Sequence, residues 1–142
     1  MEGKKKVFVL QDTKEPFFLL AISCAESIHK LVWLIQSQLE ITFAESSGLR
    51  VIVSGKEPIE FPVHKGISPV TGEEFSLIKN KIHSSILLKS QPNIDYILKV
   101  SGTNSPIRVK EVIASVKKVP GVLAALRLEI QKGKGFAAFD LV

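Results

Sequence analysis

Cysteine is almost missing from this chain. Cys24 is its one thiol, so no disulfide can form within it and metal sites built from cysteine clusters are excluded. Small secreted domains more often carry cysteine pairs. Histidine is nearly as scarce: His29, His64 and His83 stand far apart, with no short-spaced pair and no adjoining acidic cluster, so no metal site is recognisable. Long hydrophobic runs are also lacking. Phe17–Ile22 is six residues, far short of the ~20 that a membrane-spanning helix needs. After Lys4-Lys5-Lys6 the apolar stretch Val7–Leu10 ends at Gln11-Asp12, too soon for the core of a secretory signal. These absences lead to the expectation of a cytoplasmic protein with no membrane association.

Catalytic apparatus is lacking in the same way. No glycine loop stands between a strand and a helix; Gly133-Lys134-Gly135 lacks both flanks, so no phosphate cradle is expected. Asp95 has no second carboxylate to share acid–base work, and pairing with Lys99 or a cross-strand cation is its simplest role. Cys24 lies near the start of a predicted helix, where a thiol pKa can fall, but it shares the apolar arc with Ile28 and reads as a buried structural cysteine. The expectation is that there are no catalytic residues, no metal and no cofactor.

What is present is ordinary globular material. The 142 residues are 45% hydrophobic and 23% charged, which fits one domain over 1–142 with a core of its own. The formal net charge is +5, and all of the excess lies in residues 72–142, where 11 Lys and Arg face 6 Asp and Glu. A basic half attracts nucleic acid or acidic partners, yet a charge of about 2–8 is also normal for a soluble small domain.

Strands are predicted at Lys5–Leu10 and Phe17–Ile22, separated by the turn Thr13–Pro16. Ser23-Cys24-Ala25-Glu26 has the form of a capping box, opening a helix with the stripe Ile28, Leu31, Val32, Ile35 and Leu39. Leu49–Val53 is a short strand. Ser54–Glu74, with Pro58, Pro62 and Pro69, reads as a long loop holding at most an edge strand at Ile59–Val63. Phe75–Lys79 and Ser85–Lys89 suggest a hairpin. Ile94–Val100 alternates Ile94, Tyr96, Leu98 and Val100 against Asp95, Ile97 and Lys99. Ser105-Pro106 opens a second helix with the stripe Val109, Val112, Ile113 and Val116, stopped by Pro120-Gly121. Leu123–Ile130 is a strand placing Leu126, Leu128 and Ile130 on one side. The segment Lys132–Gly135 is a flexible link, and Phe136–Val142 is apolar enough to dock as a further strand. Two helices over an antiparallel sheet make an α+β two-layer sandwich, a variant of the ferredoxin-like fold.

Several stretches together carry a family resemblance: Phe18-Leu19-Leu20-Ala21-Ile22-Ser23, Lys30-Leu31-Val32-Trp33-Leu34-Ile35, Ile94-Asp95-Tyr96, and Lys118-Val119-Pro120-Gly121-Val122. Over about residues 17–130 the chain resembles the IPExxxVDY family of small Bacteroidetes proteins. Ile94-Asp95-Tyr96 matches the second half of the naming motif, while the first half falls on Leu88-Lys89-Ser90 and departs at all three positions. The resemblance implies a bacterial cytoplasmic protein and supplies no catalytic residue.

Two surfaces stand out. Trp33 lies off the stripe of its helix and suits a partner contact, unless a loop or the tail covers it. Lys110 and Lys117 share one flank of the second helix with Lys118 further round, a weak candidate for phosphate contact. The expected function is a non-enzymatic binding or assembly module acting as a homo-oligomer, with a protein partner also possible. The alternatives are nucleic-acid binding through the basic half and an enzyme with an unrecognised site.

Overall fold

A six-stranded antiparallel sheet organises the chain in the computed structural model, which describes residues 15–52, 55–130 and 136–142. The expected strand Lys5–Leu10, most of the turn after it, and the link Lys132–Gly135 lie outside the described residues. The elements run β1 (Phe17–Cys24), α1 (Ile28–Leu39), β2 (Thr42–Glu45), β3 (Leu49–Val51), β4 (Ile59–Phe61), β5 (Val63–Ile67), β6 (Glu74–Lys79), β7 (Lys81–Ile82), β8 (Ser85–Ile86), β9 (Tyr96–Ser101), α2 (Pro106–Lys117), β10 (Val122–Leu128) and a 3-10 helix (Phe136–Leu141). The sheet order is β10-β1-β9-β6-β5-β2, while β3–β4 and β7–β8 form separate two-stranded ribbons.

β1 is central because it is apolar on both faces. Phe18, Leu20, Ile22 and Cys24 enter one core with the stripes of α1 and α2 and with Phe43, Phe75, Leu77, Tyr96, Leu98 and Val100. Leu19 and Ala21 point the other way, into a second core with Leu49, Phe61, Val63, Ile78, Leu88, Ile94, Ile97, Leu128, Phe136 and Phe139. The sheet is therefore covered on both faces, by helices on one and by the ribbons and the 3-10 helix on the other. That replaces the two-layer sandwich expected from sequence, since a strand apolar on both faces needs a cover on each.

Several local expectations change for physical reasons. Ser27, not Ser23, caps α1, its hydroxyl accepting from the Lys30 N–H. Ser23 and Cys24 instead complete β1, paired with Ala124 and Val122 of β10 across a register shift at Ser23/Cys24. The hydrogen-bond ladder outweighs a local cap there. The capping-box carboxylate of Glu26 sits 3.7 Å from Lys30 Nζ, and its backbone carbonyl accepts from Tyr96 Oη. The helix stripe, by contrast, is as expected: Ile28, Leu31, Val32 and Ile35 are buried and Leu39 packs on the same core. α2 begins at Ser105-Pro106 as expected.

The proline-rich stretch holds two strands, β4 and β5. Pro62 separates β4 from β5, and β5 runs inside the sheet between β2 and β6. The Pro62 carbonyl still accepts from the Lys79 N–H, 3.0 Å away, so the missing proline donor falls where the chain leaves the ribbon for the sheet. The expected hairpin of Phe75–Lys79 with Ser85–Lys89 is not formed: β6 pairs with β5 and β9, and β8 pairs with β7. Ile94 falls before β9 and enters the second core, away from Tyr96. Leu126 and Ile130 are exposed rather than packed beside Leu128. Phe136–Leu141 is a 3-10 helix instead of a strand. Its i,i+3 pair Phe136 and Phe139 buries one side against the sheet. Lys99, buried on that face, holds the segment by donating to the carbonyls of Phe139 and Val142, each 2.7 Å away.

Candidate functional site

The residues singled out by sequence fall in separate places. Trp33 is 63% exposed on the outer flank of α1. Lys110 and Lys117 are exposed on α2 and Lys118 is exposed just past its end. Arg108, two residues before Lys110, is turned away to Glu73 and Glu111. Tyr96 is buried, its phenol pushed up to about 12 by burial and by the neighbouring Cys24, Asp95 and Glu26, so it offers a base no stacking face. Asp95 pairs with Lys81, 3.4 Å away, rather than with Lys99, and its other carboxylate oxygen accepts from the Cys24 N–H at 2.9 Å.

Cys24 is buried in β1 and burial raises its thiol pKa. A thiol that is neutral and enclosed is a poor nucleophile. Thiol labelling of the folded chain is therefore expected to run roughly a hundredfold or more slower than in denaturant, because reaction waits on opening of a core strand. Labelling at equal rates in both states would restore a reactive role for Cys24.

The histidines are where structure departs furthest from sequence. His64, in sequence only a lone histidine of the proline-rich stretch, is 5% exposed. In the antiparallel ladder of β2 and β5, Glu45 stands directly opposite His64. Gly66, two residues on, lies opposite Phe43 where a Cβ would meet the Thr42 carbonyl at 2.6 Å, so the two strands are held close. His29, in the first turn of α1, crosses above this pair. The rings of His29 and His64 are 5.3 Å apart and inclined at 85°. One donor atom from each of His29, Glu45 and His64 lies within 4.8 Å of the others. His64 Nδ1 is buried and has no hydrogen-bond partner. Burial first, then the adjacent His29, lowers the His64 pKa, with Glu45 acting in the opposite sense. No spacing signal marks this trio, because a non-local strand register assembles it. His83 is exposed in the β7–β8 turn with φ 54°.

Two further surfaces are notable. A cleft of about 350 Å³ opens between the β3–β4 and β7–β8 ribbons, lined by Val51, Ile59, Phe61 and Ile86 with Lys56 and Lys89. The other is the outer strand β10. It closes the sheet on one side among the described residues, and it carries Leu123, 80% exposed, and Leu126, 55% exposed. Among the described residues no helix is long and apolar enough to cross a membrane. Comparison with known protein families and with curated proteins finds no match to this chain.

Proposed function

We propose that the chain is a bacterial cytoplasmic assembly module that self-associates through β10. The carrying observation is the exposure of Leu123 and Leu126 on a seven-residue strand at the sheet's edge. Edge strands in soluble proteins are ordinarily short, charged or covered, since their open backbone groups and apolar side chains invite pairing. Arg127 is the strand's one charged side chain. A second copy, related by a two-fold axis, meets β10 antiparallel, extends the sheet and covers its own leucines at the same time. The order of the sheet, with β1 flanked by β9 and β10 and a helical crossover on either side, supports reading the architecture as ferredoxin-like with added strands. Ile94-Asp95-Tyr96 and the α1 stretch support placing it in the IPExxxVDY family.

Sedimentation equilibrium tests the proposal. The chain is expected to be a dimer at tens of micromolar, and Leu126→Lys to convert it to a folded monomer, since like charges then face each other across the two-fold. A chain that stays monomeric at several hundred micromolar, or a Leu126→Lys dimer as tight as the parent, would remove this reading.

A further inference from the structure

We propose that His29, Glu45 and His64 bind a divalent transition-metal ion of the zinc class. Three features of the trio support this. The first is donor chemistry: two imidazoles and one carboxylate favour zinc, cobalt, nickel or copper over calcium and magnesium, which prefer oxygen. The second is geometry. Ligands lie about 2.0–2.2 Å from zinc, hence roughly 3.3 Å from one another around a tetrahedron. Donor atoms within 4.8 Å need to close by only about an ångström or two. His29 and Glu45 are exposed and free to swing, while His64 is fixed in β5. His64 is the anchor, and the outer two close on the ion.

The third feature is the unused nitrogen. A neutral imidazole has one N–H and one lone pair. Leaving a buried nitrogen without a partner costs free energy, and His64 Nδ1 has none. A histidine placed only to fill space beside the α1 core would be cheaper as an apolar residue. Giving the ring's lone pair to a cation explains why an imidazole stands there. With His29 and Glu45 both at the surface, the fourth position opens to solvent and would take water or a small anionic ligand.

The chain carries its own reporter. Trp33 is its only tryptophan and lies four residues after His29 on α1, so the two side chains neighbour each other on the helix surface. Titrating tag-free full-length protein with Co²⁺ is expected to quench Trp33 fluorescence to a one-ion endpoint, with visible bands of low-symmetry cobalt, and Zn²⁺ to reverse both. His64→Ala is expected to weaken Zn²⁺ binding a hundredfold or more. His29→Ala, at an exposed helix position where folding is not at stake, should weaken it by a similar factor, and Glu45→Gln by roughly tenfold. Absence of quenching and of visible bands at 100 µM Co²⁺ would overturn the proposal. Binding that survives unchanged in His29→Ala would do so too.

Discussion

Replacing Asn80 with alanine is expected to lower the unfolding free energy by about 3 kcal/mol, read from urea denaturation at neutral pH. Asn80 is fully buried at the end of β6. Its Oδ1 accepts from the Leu88 N–H at 2.8 Å, and its Nδ2 donates to the carbonyls of Ile94 at 2.9 Å and Gln91 at 3.2 Å. One side chain thus sets the path of residues 87–94, which carries Leu88 and Ile94 into the second core. Alanine keeps the backbone bonds of Asn80 with Asp95 and Leu87 but strands a buried N–H and a buried carbonyl. Each such orphan costs about 1–3 kcal/mol. Asn80→Asp separates this account from simple loss of volume. Aspartate still accepts from Leu88, but it sets an ionised oxygen against two carbonyls, so its folded pKa must rise above the unfolded value of about 3.9. A group raised in the folded state stabilises below its unfolded pKa, and that contribution is lost as pH rises through the folded value. The deficit of Asn80→Asp should therefore exceed that of alanine at pH 7 and shrink toward pH 4. A pH-independent deficit would mean that the network is not what Asn80 contributes.

Asn80 also shows which parts of this fold could be read from sequence. Local patterns were legible: the stripes of α1 and α2, the Ser105-Pro106 start, and the double-faced run of β1 each follow from residues within one or two turns of each other. Partners were not. Asn80 directly follows Phe75–Lys79, a stretch whose sequence suggests a hairpin, yet its side chain binds a segment eight to fourteen residues later. Pro58, Pro62 and Pro69 suggest a long loop with at most an edge strand, but Pro58 and Pro62 flank β4 and Pro69 lies two residues past β5, so they bound these strands instead of abolishing them. The alternation of β10 was visible, yet whether Leu126 is covered depends on how far the second layer extends across the sheet. The same holds for the histidines: His29 and His64 meet only through the β2–β5 register and the placement of α1, neither of which is encoded near either residue. Trp33 was legible because its exposure follows from helical angle alone.

Arg108→Met is expected to destabilise the fold by about 3 kcal/mol at pH 7, because it leaves the Glu73 carboxylate buried and uncompensated. Glu73 lies in the β5–β6 connection, where the Ser68 N–H donates to the Glu73 carbonyl and Ser68 Oγ accepts from Val70 and Thr71. Arg108, in the first turn of α2, grips Glu73 through Nε, 2.9 Å from Oε2, and through Nη2, 2.7 Å from Oε1. The fork fixes the start of α2 over the β5–β6 turn, and Arg108 reaches Glu111 as well at 3.3 Å. The guanidinium bonds hold the Glu73 pKa below its ordinary 4.5, outweighing burial, which pushes it up. A carboxylate depressed in this way adds stability that is complete above the unfolded pKa and is lost as pH falls through the lower folded value. Without Arg108, burial dominates and the Glu73 pKa rises above 4.5, which reverses the sign: the variant regains stability once the carboxyl protonates. The gap between parent and Arg108→Met should accordingly be widest near pH 7 and narrow below pH 4. The double variant Glu73→Gln, Arg108→Met should lose less than Arg108→Met alone, since neither charge is then stranded. Equal losses for the single and double variants, flat with pH, would show that packing of the arginine stem, rather than neutralisation of Glu73, is what α2 gains from this contact.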